Sequence, residues 1–150
     1  MIHGYHVIMG MYGFWLPNDP RGSWSEFIGA WELLRFGTTT RSSDRQILLT
    51  DKEVLQRQEA KKHLKYPPVT LNGRQALAVG RGFLQGKQKC GLTIWACSIL
   101  PEHVHLVIAR HRYKVETVAN LLQGEATKQL RAEDGAYIEG TRNPYLPEGK

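Results

Sequence analysis

The sequence of 150 residues has only two cysteines, Cys90 and Cys97, which are too few for a disulfide framework. No stretch approaches the ~18 to 20 apolar residues of a membrane-spanning helix. The N-terminus has neither the basic segment nor the long apolar segment of a secretory leader. We therefore expect a cytoplasmic protein without a membrane span, in which Cys97 is a small core residue inside an apolar run.

Internal repeats and composition shifts that would mark a domain boundary are also missing. Apolar residues make up 41% of the chain and charged residues 23%, as in ordinary globular proteins. A chain of this length can bury a core without covalent staples. The sequence therefore predicts one domain over residues 1–150.

Acidic residues are scarce in the middle third of the chain. The net charge is +6, and residues 41–90 contain eleven Lys or Arg against four Asp or Glu. Such a segment is either a solvated basic face or a polyanion-binding surface, most commonly for nucleic acid. The candidate DNA-binding residues are Lys61, Lys62, Arg74, Arg81, Lys87 and Lys89.

Hydrophobic periodicity and capping signals predict strands and helices in a definite order. They predict a strand at 4–14, helices at 24–36, 51–65 and 72–89, strands at 92–100 and 103–110, and a helix at 116–131. If about 16–70 is a helical insertion after the first strand, the remainder is βαββα. That is most of a ferredoxin-like α+β sandwich with an antiparallel sheet, and its final strand has no obvious counterpart.

Three burial expectations follow from the same patterns. The first strand is apolar on both faces, which favours a central position in the sheet. The strand at 92–100 is fully apolar, which predicts that it is buried. In the helix at 72–89, Leu77, Gly80 and Leu84 share one face, with Phe83 beside it, and we expect this face to be buried.

Two histidines stand two residues apart at the start of an apolar run, as Glu102-His103-Val104-His105-Leu106. On a strand, successive side chains alternate, so His103 and His105 project to one face and Val104 to the other. Two imidazoles side by side on a rigid strand are half of a metal site. The alternative is a pair of histidines with a purely structural role.

Two histidines without cysteines do not form a closed structural zinc site. They leave coordination positions open, as a catalytic cation requires. Each imidazole would need a hydrogen-bond partner for its other ring nitrogen. His3 and His6 could be further ligands, but structural roles are favoured because no second element positions them.

A cation beside a basic surface suggests phosphodiester chemistry, in which the cation polarises the scissile phosphate. The nucleophile is then either metal-bound water or a protein hydroxyl that forms a covalent intermediate. The sequence has no further carboxylate cluster, which disfavours a hydrolase that uses bound water.

Three segments together resemble the IS200-like transposases and their repeat-associated relatives, which are HUH single-strand DNA endonucleases with one catalytic tyrosine. Leu100-Pro101-Glu102-His103-Val104-His105-Leu106-Val107 is similar to the signature of this family around its histidine pair. Tyr5-His6-Val7 resembles its first strand, and residues 118–130 resemble the helix after the pair. The segment at 16–70 departs from the compact family pattern.

The resemblance implies a function for each part. His103 and His105 would bind Mg²⁺ or Mn²⁺ and orient the scissile phosphate of single-stranded DNA, often beside a hairpin. A tyrosine would attack phosphorus and form a 5′-phosphotyrosine link, leaving a free 3′-hydroxyl. The protein would act in transposition and DNA recombination, usually as a homodimer.

The chain departs from the family at its C-terminus. The family places its tyrosine on a final helix, and no such helix is predicted before Lys150. Tyr137 and Tyr145 are the remaining candidate nucleophiles, because Tyr113 follows the strand too closely. The third metal ligand is unassigned. The alternative to an active nuclease is a non-catalytic DNA-binding remnant of such a transposase.

Overall fold

The computed structural model describes residues 1–17, 19, 31–36 and 50–134. Its contacts divide the chain into two compact units, one formed by Met1–Gly10 with Thr70–Lys150 and the other by Met11–Val69. In these ranges no helix is both long enough and apolar enough to cross a membrane. The elements in chain order are β1 (Gly4–Gly10), a 3₁₀ helix (Trp31–Phe36), α1 (Asp51–Lys62), α2 (Gly73–Cys90), β2 (Ile94–Ile99), β3 (His103–Ala109) and α3 (Val115–Glu133).

The first unit is α+β, as predicted, and its described residues form one open antiparallel sheet of three strands in the order β1-β3-β2. Among these described strands β3 is the central one, because it pairs on both sides, and β1, which was expected to be central, pairs with β3 alone. The apolar residues of β1 are not all buried: Met9 is 6% exposed, whereas Ile8 is 46% exposed. Apolar residues on both faces therefore did not indicate two covered faces.

The core of this unit lies on one face of β3. Val104, Leu106 and Ile108 are at most 2% exposed and alternate with partly exposed residues. Helix α2 lies on this side, because Gly80 approaches Ile99, and Ile99 is the β2 partner of Val104. Strand alternation therefore leaves the opposite face of β3 to the histidines.

Helix α2 begins and ends where its sequence signals place it. The Asn72 side-chain oxygen accepts a hydrogen bond from the Gln75 backbone amide, and the Asn72 backbone amide donates one to the Gln75 side-chain oxygen. Gly91 ends the helix in the left-handed conformation, with φ of 64°. Glycine is favoured at this position because it has no Cβ to clash there.

The predicted buried face of α2 is wrong. Leu77 is 63% exposed and Leu84 is 51% exposed. The buried residues lie on another face of the helix and are Ala78, Val79, Gly82, Phe83 and Gly86. The two glycines face α3, where a Cβ at Gly82 would stand 2.5 Å from the Cα of Ala126. Close helix packing therefore accounts for two of the four glycines of α2.

The helix predicted at 116–131 is confirmed as α3. Its buried residues include the predicted apolar positions Val118, Leu122, Ala126 and Leu130. They recur at intervals of four residues and form one face of the helix. Glu125 lies beside this face and is 6% exposed.

The predicted burial of β2 is also wrong. The predicted hairpin is present, since the Leu100 amide donates to the His103 carbonyl and β2 pairs antiparallel to β3. However, β2 is an edge strand with four exposed residues between its ends. Cys97 is one of them, so it is an exposed thiol and not a core residue.

The second unit contains the 3₁₀ helix and α1. The predicted capping box is present at the start of α1, where the Glu53 amide donates to the Thr50 hydroxyl and the Thr50 amide donates to the Glu53 carboxylate. Leu16, Leu33 and Ala60 form a small apolar cluster. In the helix predicted at 24–36, residues 24–30 lie outside the described ranges, and 31–36 form the 3₁₀ helix.

Candidate metal centre

The two histidines of the motif lie on the exposed face of the central strand. His103 and His105 are partly exposed, whereas the residues that alternate with them are buried against the helices. Their ring centroids are 4.8 Å apart, and the rings meet edge to face at 73°. No described element of this unit covers their side of the sheet. The predicted strand and shared face are therefore confirmed.

A third histidine reaches the same place from the neighbouring strand. His6 lies on β1 opposite Val107, two residues along the strand from Ile8, which opposes His105. The His6 Nε2 and His105 Nδ1 atoms are 2.9 Å apart. Their rings are stacked, with centroids 5.2 Å apart and planes inclined by 19°. This contact supplies the second positioning element that the sequence did not reveal.

The environment of His105 favours its neutral form. Burial of the imidazole, and then the charges that His103 and His6 would carry, lower the pKa of His105 below its usual value. Both causes act in one direction, because a protonated ring here would lose hydration and meet like charge. A neutral imidazole is the form that binds a metal ion.

The histidine pair would fill only some of the coordination positions of a cation and would leave the others open. In the part of the chain that the structure describes, no group of three His, Cys, Asp or Glu side chains is arranged to hold a metal ion. The histidine pair offers imidazole nitrogens, whereas both Mg²⁺ and Mn²⁺ prefer oxygen ligands. It would leave the other positions for water and phosphate oxygens. A shallow depression lined by Leu100, Pro101, Glu102 and His103 adjoins the pair at the hairpin turn.

A tryptophan shares the exposed face with the histidines. The β2 register shifts between Ile94 and Ala96, and Trp95 lies at this irregularity. A Cβ built on Gly4 would meet the Trp95 ring at 2.5 Å. Since Gly4 is in β1, the indole extends across β3, on the side to which His6 also points. Trp95 remains 57% exposed, so one face of this indole can be reached by a ligand.

Three of the six candidate DNA-binding cations are engaged by carboxylates. Arg81 of α2 forms a bidentate ion pair with Glu133 of α3. Lys89 Nζ lies 2.7 Å from Glu125, and Lys62 Nζ lies 2.6 Å from Glu59. A phosphate would have to compete with these partners. The remaining candidates, which are exposed, are Lys61, Arg74 and Lys87.

The candidate cations of α2 do not share a surface with the histidines. Arg74, Arg81, Lys87 and Lys89 are on α2, which lies behind the sheet from the histidine pair. Lys61 and Lys62 belong to the other unit. The basic residues that follow the histidine strand most closely in the sequence are Arg110 and Arg112, directly after β3.

The two candidate nucleophiles, Tyr137 and Tyr145, lie outside the described residues. Tyr5 opposes Ile108 in β1 and therefore points to the helix face, away from the histidines. Tyr113 follows the end of β3 that is remote from His103, and the Arg112 guanidinium lies 4.9 Å from its ring centroid. The described tyrosines of this unit are therefore not positioned at the histidine pair.

The comparisons with known proteins do not assign the chain to a family. No protein-family model matches the sequence, and no curated protein matches it.

Proposed function

We propose that this chain is a metal-dependent single-stranded DNA nicking and joining enzyme that acts in transposition, similar to the IS200-like and repeat-associated tyrosine transposases. One observation carries the proposal. His103 and His105 lie side by side on the uncovered face of the central strand, and the surroundings of His105 lower its pKa. A buried structural pair would instead be covered by the core.

The arrangement of the elements supports the proposal. The strand order β1-β3-β2, with α2 between β1 and β2 and with α3 after β3, is the order of three strands in a ferredoxin-like sandwich. The three segments of the resemblance fall on β1, on the β2–β3 hairpin with β3, and on α3. This distribution over β1, β3 and α3 supports the proposal.

The residues would act on a phosphodiester in one balanced step. His103 and His105 would hold a divalent cation, which would polarise the non-bridging oxygens of the scissile phosphate. A tyrosine hydroxyl, from Tyr137 or Tyr145, would give its proton to solvent and attack phosphorus. The phosphorus–O3′ bond would break, and the leaving oxygen would take a proton from solvent, which leaves a 3′-hydroxyl and a 5′-phosphotyrosine link. Attack by a second 3′-hydroxyl would reverse the step and rejoin DNA.

Single-stranded DNA suits the exposed sheet face better than a duplex. Proteins that bind single strands stack bases on aromatic side chains beside basic residues. Trp95 offers such a ring on the face of the histidines, and Arg110 and Arg112 follow β3. By the same resemblance we propose a DNA substrate with a hairpin, a homodimeric protein and a cytoplasmic location.

The test is a covalent adduct assay with a single-stranded hairpin DNA and Mn²⁺. We expect a protein–DNA adduct that resists denaturation and that is lost in either Tyr137→Phe or Tyr145→Phe, which identifies the nucleophile. His3→Ala is the matched control, because His3 is exposed and lies outside β1. Cleavage without an adduct would contradict the covalent step and indicate attack by water.

DNA binding with neither adduct nor cleavage would favour the alternative, a non-catalytic DNA-binding remnant. The specific observation in its favour is that no described tyrosine of the first unit is positioned at the histidine pair.

A further inference from the structure

In the hydrogen bond between His6 and His105, one ring donates and the other accepts. The positions of the heavy atoms do not show which ring is the donor. The two nitrogens, His6 Nε2 and His105 Nδ1, are 2.9 Å apart, which is a hydrogen-bond distance. Between two neutral imidazoles, one nitrogen must donate and the other must accept, so a single proton lies between them. Which ring carries that proton determines what each ring can do with its second nitrogen.

We infer that His6 is a positioning residue that accepts a hydrogen bond from His105 Nδ1–H and so keeps the lone pair of His105 Nε2 available to a cation or a proton donor. If His6 were the donor, His105 would carry its proton on Nε2 and could not coordinate through that atom. The use of Nε2 as a ligand rests on the proposed function.

A general property of metal sites supports this direction. Metal-binding histidines generally donate their other ring N–H to a neighbouring acceptor, which fixes both the tautomer and the ring orientation. Near His105, the ring that meets this requirement is that of His6. The rings also stack with planes inclined by only 19°, so the contact restrains the tilt of His105 as well as its tautomer.

The strand pairing explains why His6 can serve in this way. His6 opposes Val107 in the register, so it is diagonal to His105 across the β1–β3 pair. Diagonal neighbours on one face of an antiparallel pair are close enough for long or aromatic side chains to touch. Both backbones are held in the sheet, so the position of His6 does not depend on a loop.

The inference can be tested without DNA by measuring the tautomer of His105. Two-bond ¹⁵N–¹H correlation spectra would be recorded on the metal-free protein at about pH 8, where histidines are neutral. We expect His105 to be protonated on Nδ1 in the wild type. In His6→Phe, which keeps an aromatic ring but removes the acceptor, we expect the proton to move to Nε2.

His6→Gln supplies the decisive comparison, because its amide oxygen can still accept a hydrogen bond near the position of Nε2. We expect His6→Gln to keep the Nδ1 tautomer of His105, and His3→Phe to leave it unchanged. A wild-type His105 protonated on Nε2, or the same tautomer change in His6→Gln as in His6→Phe, would overturn the inference.

A second readout is the affinity for Mn²⁺ alone, measured by electron paramagnetic resonance. Removing such a supporting partner typically weakens metal binding about 10- to 100-fold. We expect a loss of this size in His6→Phe and a much smaller loss in His6→Gln. If the wild type has the Nδ1 tautomer but binds no Mn²⁺, the proposed metal-dependent function fails while the role of His6 in positioning His105 stands.

Discussion

Gly82 of α2 packs directly on the backbone of Ala126 in α3. A Cβ at Gly82 would stand 2.5 Å from the Ala126 Cα and 2.7 Å from the Glu125 carbonyl oxygen. Backbone atoms cannot turn aside as a flexible side chain can. We therefore expect Gly82→Ala to separate the helices and to lower the free energy of unfolding by about 1–3 kcal/mol, the usual cost of overpacking. Urea unfolding followed by circular dichroism measures this change.

Gly80→Ala is the matched control on the same helix. A Cβ there would be 3.5 Å from Ile99 Cδ1, which is an ordinary contact. Alanine is about 1 kcal/mol better than glycine inside a helix, so this variant should be as stable as the wild type or more stable. Equal destabilisation by the two substitutions would contradict the proposed helix packing.

The role of the histidine pair in cleavage should be separable from DNA binding. We expect His103→Ala and His105→Ala to abolish Mn²⁺-dependent cleavage but to leave salt-sensitive binding of single-stranded DNA largely intact, because Lys and Arg contacts to phosphates carry that binding. Gel-shift titrations at several salt concentrations, run beside the cleavage assay, measure both properties. Loss of the folded state in both variants would mean that the pair is structural.

Trp95 should contribute to binding of single strands. Its indole is 57% exposed on the face of the histidines, and Gly4, against which it rests, opposes Ala109, four residues from His105. At ~3.4 Å per residue this separation is about 14 Å. Loss of base stacking in Trp95→Ala should weaken DNA binding by about 1–3 kcal/mol.

Trp95→Phe should retain much of this affinity, because it keeps an aromatic ring. Leu77→Ala is the control, since Leu77 is exposed on α2 behind the sheet. Fluorescence anisotropy with a labelled oligonucleotide gives all three affinities. Equal affinities in Trp95→Ala and the wild type would exclude stacking on this ring.

The ion pair between Arg81 and Glu133 should make the free energy of unfolding depend on pH in the acidic range. Hydrogen bonds from Arg81, and then from Gln129, lower the pKa of Glu133 from 4.5 to about 2. A carboxylate with a lowered pKa stabilises the folded state above pH 4.5, and this contribution is lost as the pH falls toward 2. Wild-type stability should therefore fall through this range more steeply than that of Glu133→Gln. Carboxyl ¹³C titration should show a higher pKa for Glu133 in Arg81→Gln.

Local signals in the sequence predicted the helix ends, because caps depend on residues only three apart. Thr50 with Glu53 and Asn72 with Gln75 both form the reciprocal hydrogen bonds of a capping box. The alternation around His103 and His105 likewise needed only the period of a strand. These features are short-range, so the chain itself specifies them.

The long-range features were not predictable in the same way. The buried face of α2 is determined by where α3 approaches, at Gly82 and Gly86. In the sequence, the large apolar residues Leu77 and Leu84 are a stronger signal for a buried face than two glycines, yet both leucines are exposed. The role of His6 depends on β1 pairing with β3 in one register, 99 residues away from His105. Periodicity within β1 carries no information about that partner.

The most direct test of the central claim is the polarity of the covalent product on end-labelled single-stranded hairpin DNA. With Mn²⁺, a 3′-labelled strand should give a labelled protein band, and a 5′-labelled strand should give a free fragment that ends in a 3′-hydroxyl. Both products should be absent from His103→Ala and present in His3→Ala. Label on the protein from the 5′-labelled strand, or the same products without a divalent cation, would contradict the proposed attack of tyrosine at a cation-bound phosphate.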